Sequence, residues 1–134
     1  MLVKDIMSRN VITVTLNDTA NDVKKIFDNI KIHHVVVIEE KKLLGIISDR
    51  DILRCISPYL DTPAETPRDH FTLNKRVQQI MTSDLITVQE SSPLKEAARL
   101  MLENEISCLP VLNEENMMTG ILSWKDILRN VYEE

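Results

Sequence analysis

The 134-residue chain contains only two glycines, Gly45 and Gly120, and each opens the same phrase. "GIISDRDILR" runs from Gly45 and "GILSWKDILR" from Gly120: glycine, two apolar residues, Ser, two variable residues, Asp, then Ile-Leu-Arg. A phrase that uses up the chain's whole supply of its most permissive residue marks an internal repeat. Setting "VKDIMSRNVITV" from Val3 beside "VQQIMTSDLITV" from Val77 gives an offset of 77 − 3 = 74. The same offset pairs Ile12-Thr13-Val14 with Ile86-Thr87-Val88, and Ile32 with Ile106. The glycines differ by 120 − 45 = 75, so one residue is inserted in between. That insertion belongs in the turns of "VVVIEEKKLLG" and "LPVLNEENMMTG", where polar residues separate two apolar runs as in a hairpin.

Each copy predicts the same elements. Val11 to Thr15 and Leu85 to Gln89 suit short strands. A helix follows in the first copy, with Ala20, Val23, Ile26, Phe27 and Ile30 on one face and Asp18 as candidate cap. In the second copy Leu94, Ala97, Leu100 and Met101 repeat the pattern behind Ser92 as cap, with Pro93 at the first helical position. Hairpin strands come next, Val35 to Ile38 with Leu43 to Ile47, and Leu109 to Leu112 with Met117 to Leu122. A last helix runs from about Asp49 to Ile56 and from about Trp124 to Tyr132. The order is β-α-β-β-α twice: a first motif over 1–57, a linker over 58–75 and a second motif over 76–134. Three of the five prolines (Pro58, Pro63, Pro67) fall in the linker, which predicts an exposed connector without regular structure. A β-α-β-β-α unit alone leaves one sheet face bare, so the α/β fold expected is two motifs packed sheet to sheet with pseudo-twofold symmetry.

Composition narrows the function classes. Hydrophobic residues make up 43% and charged ones 28%, ordinary for a globular domain, and aromatics are only 4%. The formal net charge of −5 speaks against a nucleic-acid surface or an anionic membrane as partner. No apolar run approaches the roughly 18–20 residues of a membrane span, and the first residues lack a signal segment, so a cytoplasmic location is expected. Cys55 and Cys108 lack C-x-x-C spacing and sit among apolar residues, which predicts buried thiols.

The repeated phrase lies where a strand ends and a helix begins. Ser48 and Ser123 can cap the helix, with Asp51 and Asp126 three residues on favouring its positive end. The same atoms can serve a ligand. Free amides at a helix start seat a phosphate, a Ser hydroxyl adds a hydrogen bond, and an Asp can accept both hydroxyls of a ribose.

Taken together, "DIM" and "QIM" before the first strand, "IHHVVVIE" and "ISCLPVLN" at the second, and the two glycine phrases resemble a pair of cystathionine β-synthase (CBS) domains, the tandem called a Bateman module. The resemblance covers nearly the whole chain apart from the linker. It implies a regulatory module that binds AMP, ADP, ATP or S-adenosylmethionine in two clefts between its motifs, needs no further cofactor, and signals to a partner protein. One cleft would combine Ser123, Lys125, Asp126 and Ile121 with Met7, Asn10, Ile12, Ile32, His33 and His34. The other would combine Ile46, Ser48, Arg50 and Asp51 with Met81, Asp84, Ile86, Ile106 and Ser107. The basic residues favour the first cleft for a charged ligand, and Asp84, standing where the first cleft has Asn10, weakens the second for an anion. Pairing through helices as a homodimer is implied as well. The sequence departs from the family pattern at Val36, where the second copy has Pro110.

His33 and His34, adjacent on a strand, point to opposite faces and cannot chelate one ion together. No nucleophile elbow, glycine-rich phosphate loop or Ser-His-Asp order is present, so no enzyme is expected and no metal site. Two rival readings remain: a structural dimerisation module with empty clefts, and a redox or metal sensor using the cysteines or histidines.

Overall fold

The computed structural model describes residues 1–133. It forms two compact units that do not follow the halves of the sequence. One is Ile12–Leu85, and the other joins Met1–Val11 to Ile86–Glu134.

The Ile12–Leu85 unit holds β1 (Thr13–Val14), α2 (Ala20–Asn29), β2 (His34–Glu39), β3 (Lys42–Ser48), α3 (Asp49–Cys55), α4 (Pro67–Phe71), a 3-10 turn (Thr72–Asn74) and α5 (Val77–Ile80). Its sheet runs β1-β2-β3. β1 is parallel to β2 (Thr13 opposite Val36) and β2 antiparallel to β3 (Val36 opposite Ile46). Alternation along β2 decides the packing: Val35 and Val37 join a core with Val14, Ala20, Val23, Ile47, Ile52 and Val77, all buried. Full burial of one such aliphatic side chain contributes about 1.5–3 kcal/mol, so the sheet and α2 hold each other.

The other unit holds α1 (Val3–Ile6), β4 (Val88–Gln89), α6 (Leu94–Asn104), β5 (Cys108–Leu112), β6 (Met118–Ser123) and α7 (Trp124–Glu133), with its sheet in the order β4-β5-β6. β4 is parallel to β5, and β5 pairs antiparallel with β6. Val3, Met7, Val88, Ala97, Met101, Leu109, Val111 and Leu122 form its core.

The exchange of leading segments has a physical cause in each unit. β3 and β6 are edge strands, and an edge strand presents unpaired backbone groups. Ser8 satisfies one position of β6, giving its N–H to Ile121 O and accepting from Ile121 N–H, both at 2.9 Å. Thr82 does the same for Ile46 of β3, at 2.9 and 3.0 Å. Each leading segment therefore belongs to the unit built on the other repeat's hairpin.

Several elements differ in detail from the sequence expectation. The first strands shrink to two residues each, because only Thr13–Val14 and Val88–Gln89 stand in paired register with β2 and β5. Thr19, not Asp18, caps α2, in a reciprocal bond with Asp22; Asp18 instead accepts from Thr15 N–H at 2.8 Å and gives its carbonyl to Val77 N–H. Pro93 rather than Ser92 occupies the N-cap position of α6, and the Met1 carbonyl takes the Leu94 N–H at 2.9 Å in place of a side-chain cap. The linker is not structureless. Pro67 opens a short helix capped by Thr66, since proline fits the first helical position, and Leu73 beyond it is buried. The inserted residue lies in the turns as expected: Glu40 and Lys41, both at positive φ, make a two-residue turn, while the longer second turn is organised by the Asn113 side chain accepting from Glu115 and Met117 N–H.

Candidate functional site

The two Gly-h-h-Ser-x-x-Asp phrases fold alike. Ser48 N–H donates to Asp51 Oδ2 at 2.8 Å and Asp51 N–H to Ser48 Oγ at 3.1 Å. Ser123 and Asp126 repeat the pair at 2.8 and 3.2 Å, and the Ser123 hydroxyl also lies 3.0 Å from Asp126 Oδ2. These are capping boxes, in which strand end and helix start exchange hydrogen bonds. Each cap uses Oδ2. In Asp51 the other oxygen accepts no hydrogen bond among the described residues, and in Asp126 Oδ1 lies 3.9 Å from the Arg129 guanidinium.

The glycines are required by what lies over them. A Cβ added at Gly120 would stand 2.7 Å from Ser8 O and 2.8 Å from Met7 Sδ. One added at Gly45 would stand 2.6 Å from Met81 Sδ and 3.0 Å from Thr82 O. Each phrase is thus roofed by the leading segment of the opposite repeat, with a methionine sulfur on the glycine. Ser8 and Thr82, which hold these segments through backbone bonds, were not singled out from sequence; their shared place after "IM" in both copies was the available signal.

The helix amides correct one expectation. Asp49 N–H donates to His33 O at 2.9 Å and Trp124 N–H to Ser107 O at 3.1 Å. With Arg50 N–H on Asp49 Oδ1 at 2.8 Å and Asp51 N–H on Ser48, the first three amides of α3 all have partners within the chain. The start of α3 is therefore not an open amide seat for phosphate; its hydroxyl, carboxylate and cationic side chains are what it offers.

The expected site residues are divided between the units. Met7, Asn10, Ile121, Ser123, Lys125 and Asp126 lie in one, together with Ile86, Ile106 and Ser107. Ile46, Ser48, Arg50, Asp51, Met81 and Asp84 lie in the other, with Ile12, Ile32, His33 and His34. Met7 is buried and Met81 half-buried, while Asn10 and Asp84 are exposed. Ile86 and Ile106 pack on the core of their unit, Ile12 and Ile32 on the core of theirs. Lys125 Nζ stands 5.9 Å from the Trp124 ring centroid, within cation–π range.

One contact was not foreseen. His33 Nδ1 lies 2.9 Å from Asp49 Oδ2, tying the entry of β2 to the first turn of α3. At Asp49, burial works against ionisation, but the His33 bond and the Arg50 amide outweigh it and hold the carboxyl below its ordinary range. Burial pushes His34 below the usual histidine value, partly offset by the Asp49 charge. Burial also pushes the Cys108 thiol up to about 12. Among the described residues no cluster of three or more His, Cys, Asp or Glu is arranged to hold a metal, and no helix is long and apolar enough to cross a membrane.

Comparison with known proteins follows the repeat. A CBS domain protein of Dictyostelium discoideum is 34% identical over 130 residues, covering 96% of this chain and 89% of that protein. The structure of the CBS domain pair of protein MJ0100, in complex with 5′-methylthioadenosine and S-adenosyl-L-methionine, superposes with a TM-score of 0.79 at 30% identity, covering 99% of this chain and 97% of that one. That of CBSX2 in complex with AMP gives 0.81 at 27% identity, covering 98% and 96%. Other curated relatives are longer, the chain spanning 46% of one and 22% of another. The CBS domain family model matches residues 3–58 and 77–133, and the chain belongs to the CBS domain family as a tandem pair.

Proposed function

We propose that the chain is a regulatory module that binds an adenosine-containing ligand, an adenine nucleotide or S-adenosylmethionine, at its Ser48–Asp51 and Ser123–Asp126 phrases and reports occupancy to a partner protein. The observation that carries this reading is the pair of matching capping boxes. Each uses one carboxylate oxygen for the fold, which leaves the carboxylate able to accept a ribose hydroxyl on the other. Support comes from related CBS pairs solved with AMP and with 5′-methylthioadenosine and S-adenosyl-L-methionine. Lys125 and Arg50, beside the Ser hydroxyls in sequence, are the cations suited to a nucleotide phosphate. Occupancy is transmitted only so far as the ligand prefers one arrangement of the chain over another.

The second part of the reading is pairing. α7 exposes Trp124, Leu128, Val131 and Tyr132, and α3 exposes Leu53, apolar side chains that a second copy would cover in a homodimer. A cytoplasmic home accords with two unbridged cysteines. The partner that receives the signal is another protein; the chemistry assigned to this chain is binding rather than catalysis.

Thermal melting with AMP, ADP, ATP, NADH and S-adenosylmethionine tests the reading. A ligand at about 100 times its dissociation constant adds about 2.7 kcal/mol, which raises the midpoint by roughly 10 °C. A shift for one adenosyl ligand, lost in Asp51→Ala or Asp126→Ala, supports the sensor and assigns the phrase. No shift with any ligand, together with a stable dimer, supports a structural dimerisation module instead.

A further inference from the structure

We infer that Met81 is a site of reversible oxidation that unlatches the Ile12–Leu85 unit. The chain has six methionines, and two of them, Met7 and Met81, rest on a glycine backbone. Met81 Sδ lies so close over Gly45 that even a methyl group there would stand 2.6 Å from it, with Thr82 O at 3.0 Å on the same side. An oxygen added to that sulfur has no room towards the glycine. A sulfoxide is also polar, whereas Met81 packs at the border of an apolar core with Val77 and Ile80 on the preceding turn.

Accessibility separates the two copies. Met81 is half-buried and so more open to peroxide than Met7, which in the matching position is 8% exposed and packed within a core. Met1 is exposed and Met117 and Met118 are half-buried like Met81, but none of them is among the atoms nearest a glycine. They are internal controls for oxidation without consequence.

The step balances with hydrogen peroxide as oxidant. The thioether sulfur attacks one peroxide oxygen, the O–O bond breaks, an S–O bond forms, and the proton passes to the departing hydroxide to give water. Sulfur loses two electrons and peroxide gains them. A dithiol-dependent methionine sulfoxide reductase returns the thioether, releasing water and leaving a disulfide on the reductase.

The consequence follows from what Met81 closes. Its N–H caps α5 on the Val77 carbonyl at 2.9 Å, and the next residue, Thr82, makes the reciprocal pair with Ile46 that covers the edge of β3. β3 runs directly into Ser48 and the start of α3. Lifting Met81 therefore frees the covering segment from the strand that carries the first phrase. The latch is read without ligand and does not rest on the function proposed above.

The full chain is treated with graded hydrogen peroxide, the sulfoxides are mapped by peptide mass spectrometry, and the melting midpoint is read without ligand. The fraction of Met81 sulfoxide should track a fall in the midpoint of about 5 °C, restored by methionine sulfoxide reductases. Met81→Leu should abolish the peroxide response while Met1, Met117 and Met118 still oxidise. Should Met81→Leu fail to fold, the oxidised and reductase-treated parent decides alone. Met81 remaining reduced while Met117 and Met118 oxidise, or a midpoint unmoved at full Met81 oxidation, overturns the inference. Because no ligand is present, failure of the ligand reading leaves this result unaffected.

Discussion

Ser123 and Asp126 hold each other across the junction of β6 and α7, the serine amide on Asp126 Oδ2 at 2.8 Å and the aspartate amide on Ser123 Oγ at 3.2 Å. Cap and ligand contact thus draw on one side chain, and substitutions can separate them. Asp126→Asn keeps an acceptor for the Ser123 amide but replaces the charged oxygen that a ribose hydroxyl would meet. It should melt within a few degrees of the parent and lose ligand stabilisation. Ser123→Ala should cost about 1 kcal/mol without ligand through loss of the cap. Melting curves with and without the active adenosyl ligand check both; an Asp126→Asn chain that keeps the full ligand shift sinks the ribose role.

The glycines predict an unequal pair. At Gly120 the nearest atom to an added Cβ is a backbone carbonyl, Ser8 O at 2.7 Å, in a residue whose N–H and C=O are both bonded to Ile121. At Gly45 the nearest is the flexible Met81 side chain, with the Thr82 carbonyl at 3.0 Å. Gly120→Ala should cost about 2–3 kcal/mol and Gly45→Ala about 1 kcal/mol. Denaturant titration of the two variants measures the difference, and equal costs would mean that the Ser8 segment yields as easily as a side chain.

What could be read from the residues, and what could not, follows from the range of the forces involved. The hairpins and their closing helices were legible because apolar alternation, the glycine and the Ser-x-x-Asp cap are local and agree with one another. The length of the first strands was not: Val11 and Leu85 are apolar enough for a strand, but strand length depends on how many partners β2 and β5 present. Thr19 replaced Asp18 as cap because Asp22, three residues on from Thr19, completes a reciprocal box, a pairing the sequence already contained. The exchange of leading segments was not legible from the local pattern, since it depends on the bare edges of β3 and β6; only the family resemblance set Met7 and Asn10 beside the Ser123 phrase and Met81 and Asp84 beside the Ser48 phrase. Of the candidate site, Ser48, Asp51, Ser123 and Asp126 were found by their repeat; the His33–Asp49 bond was missed because sixteen residues separate its partners.

The cysteines should differ in reactivity. Cys108 is 8% exposed, and burial lifts its thiol to about 12, far above working pH, so almost no thiolate is present to react. Cys55, near the end of α3, is half-buried. A thiol reagent at neutral pH should modify one cysteine per native chain, identified as Cys55 by peptide mapping, and both after denaturation. Prompt native labelling of Cys108 would show that β5 opens far more often than its packing implies.

His34 sets the acid side of the stability profile. Burial is the main reason its folded value lies below 6.5, with the Asp49 and Asp51 charges opposing and His33 reinforcing the shift. A histidine depressed on folding binds its proton more readily when unfolded, so stability rises with pH through its titration. The contribution is complete above the unfolded value and is lost as pH falls through about 6.5 towards the lower folded value. Asp49, held below its ordinary range, loses its own contribution only at much lower pH, below about 4. Between pH 7.5 and 5.5 the parent should therefore soften in part through His34. His34→Gln should flatten that part of the curve while leaving the fall below pH 4 in place. Melting the two chains side by side across this range decides it, and identical slopes between pH 7.5 and 5.5 would assign the acid sensitivity elsewhere.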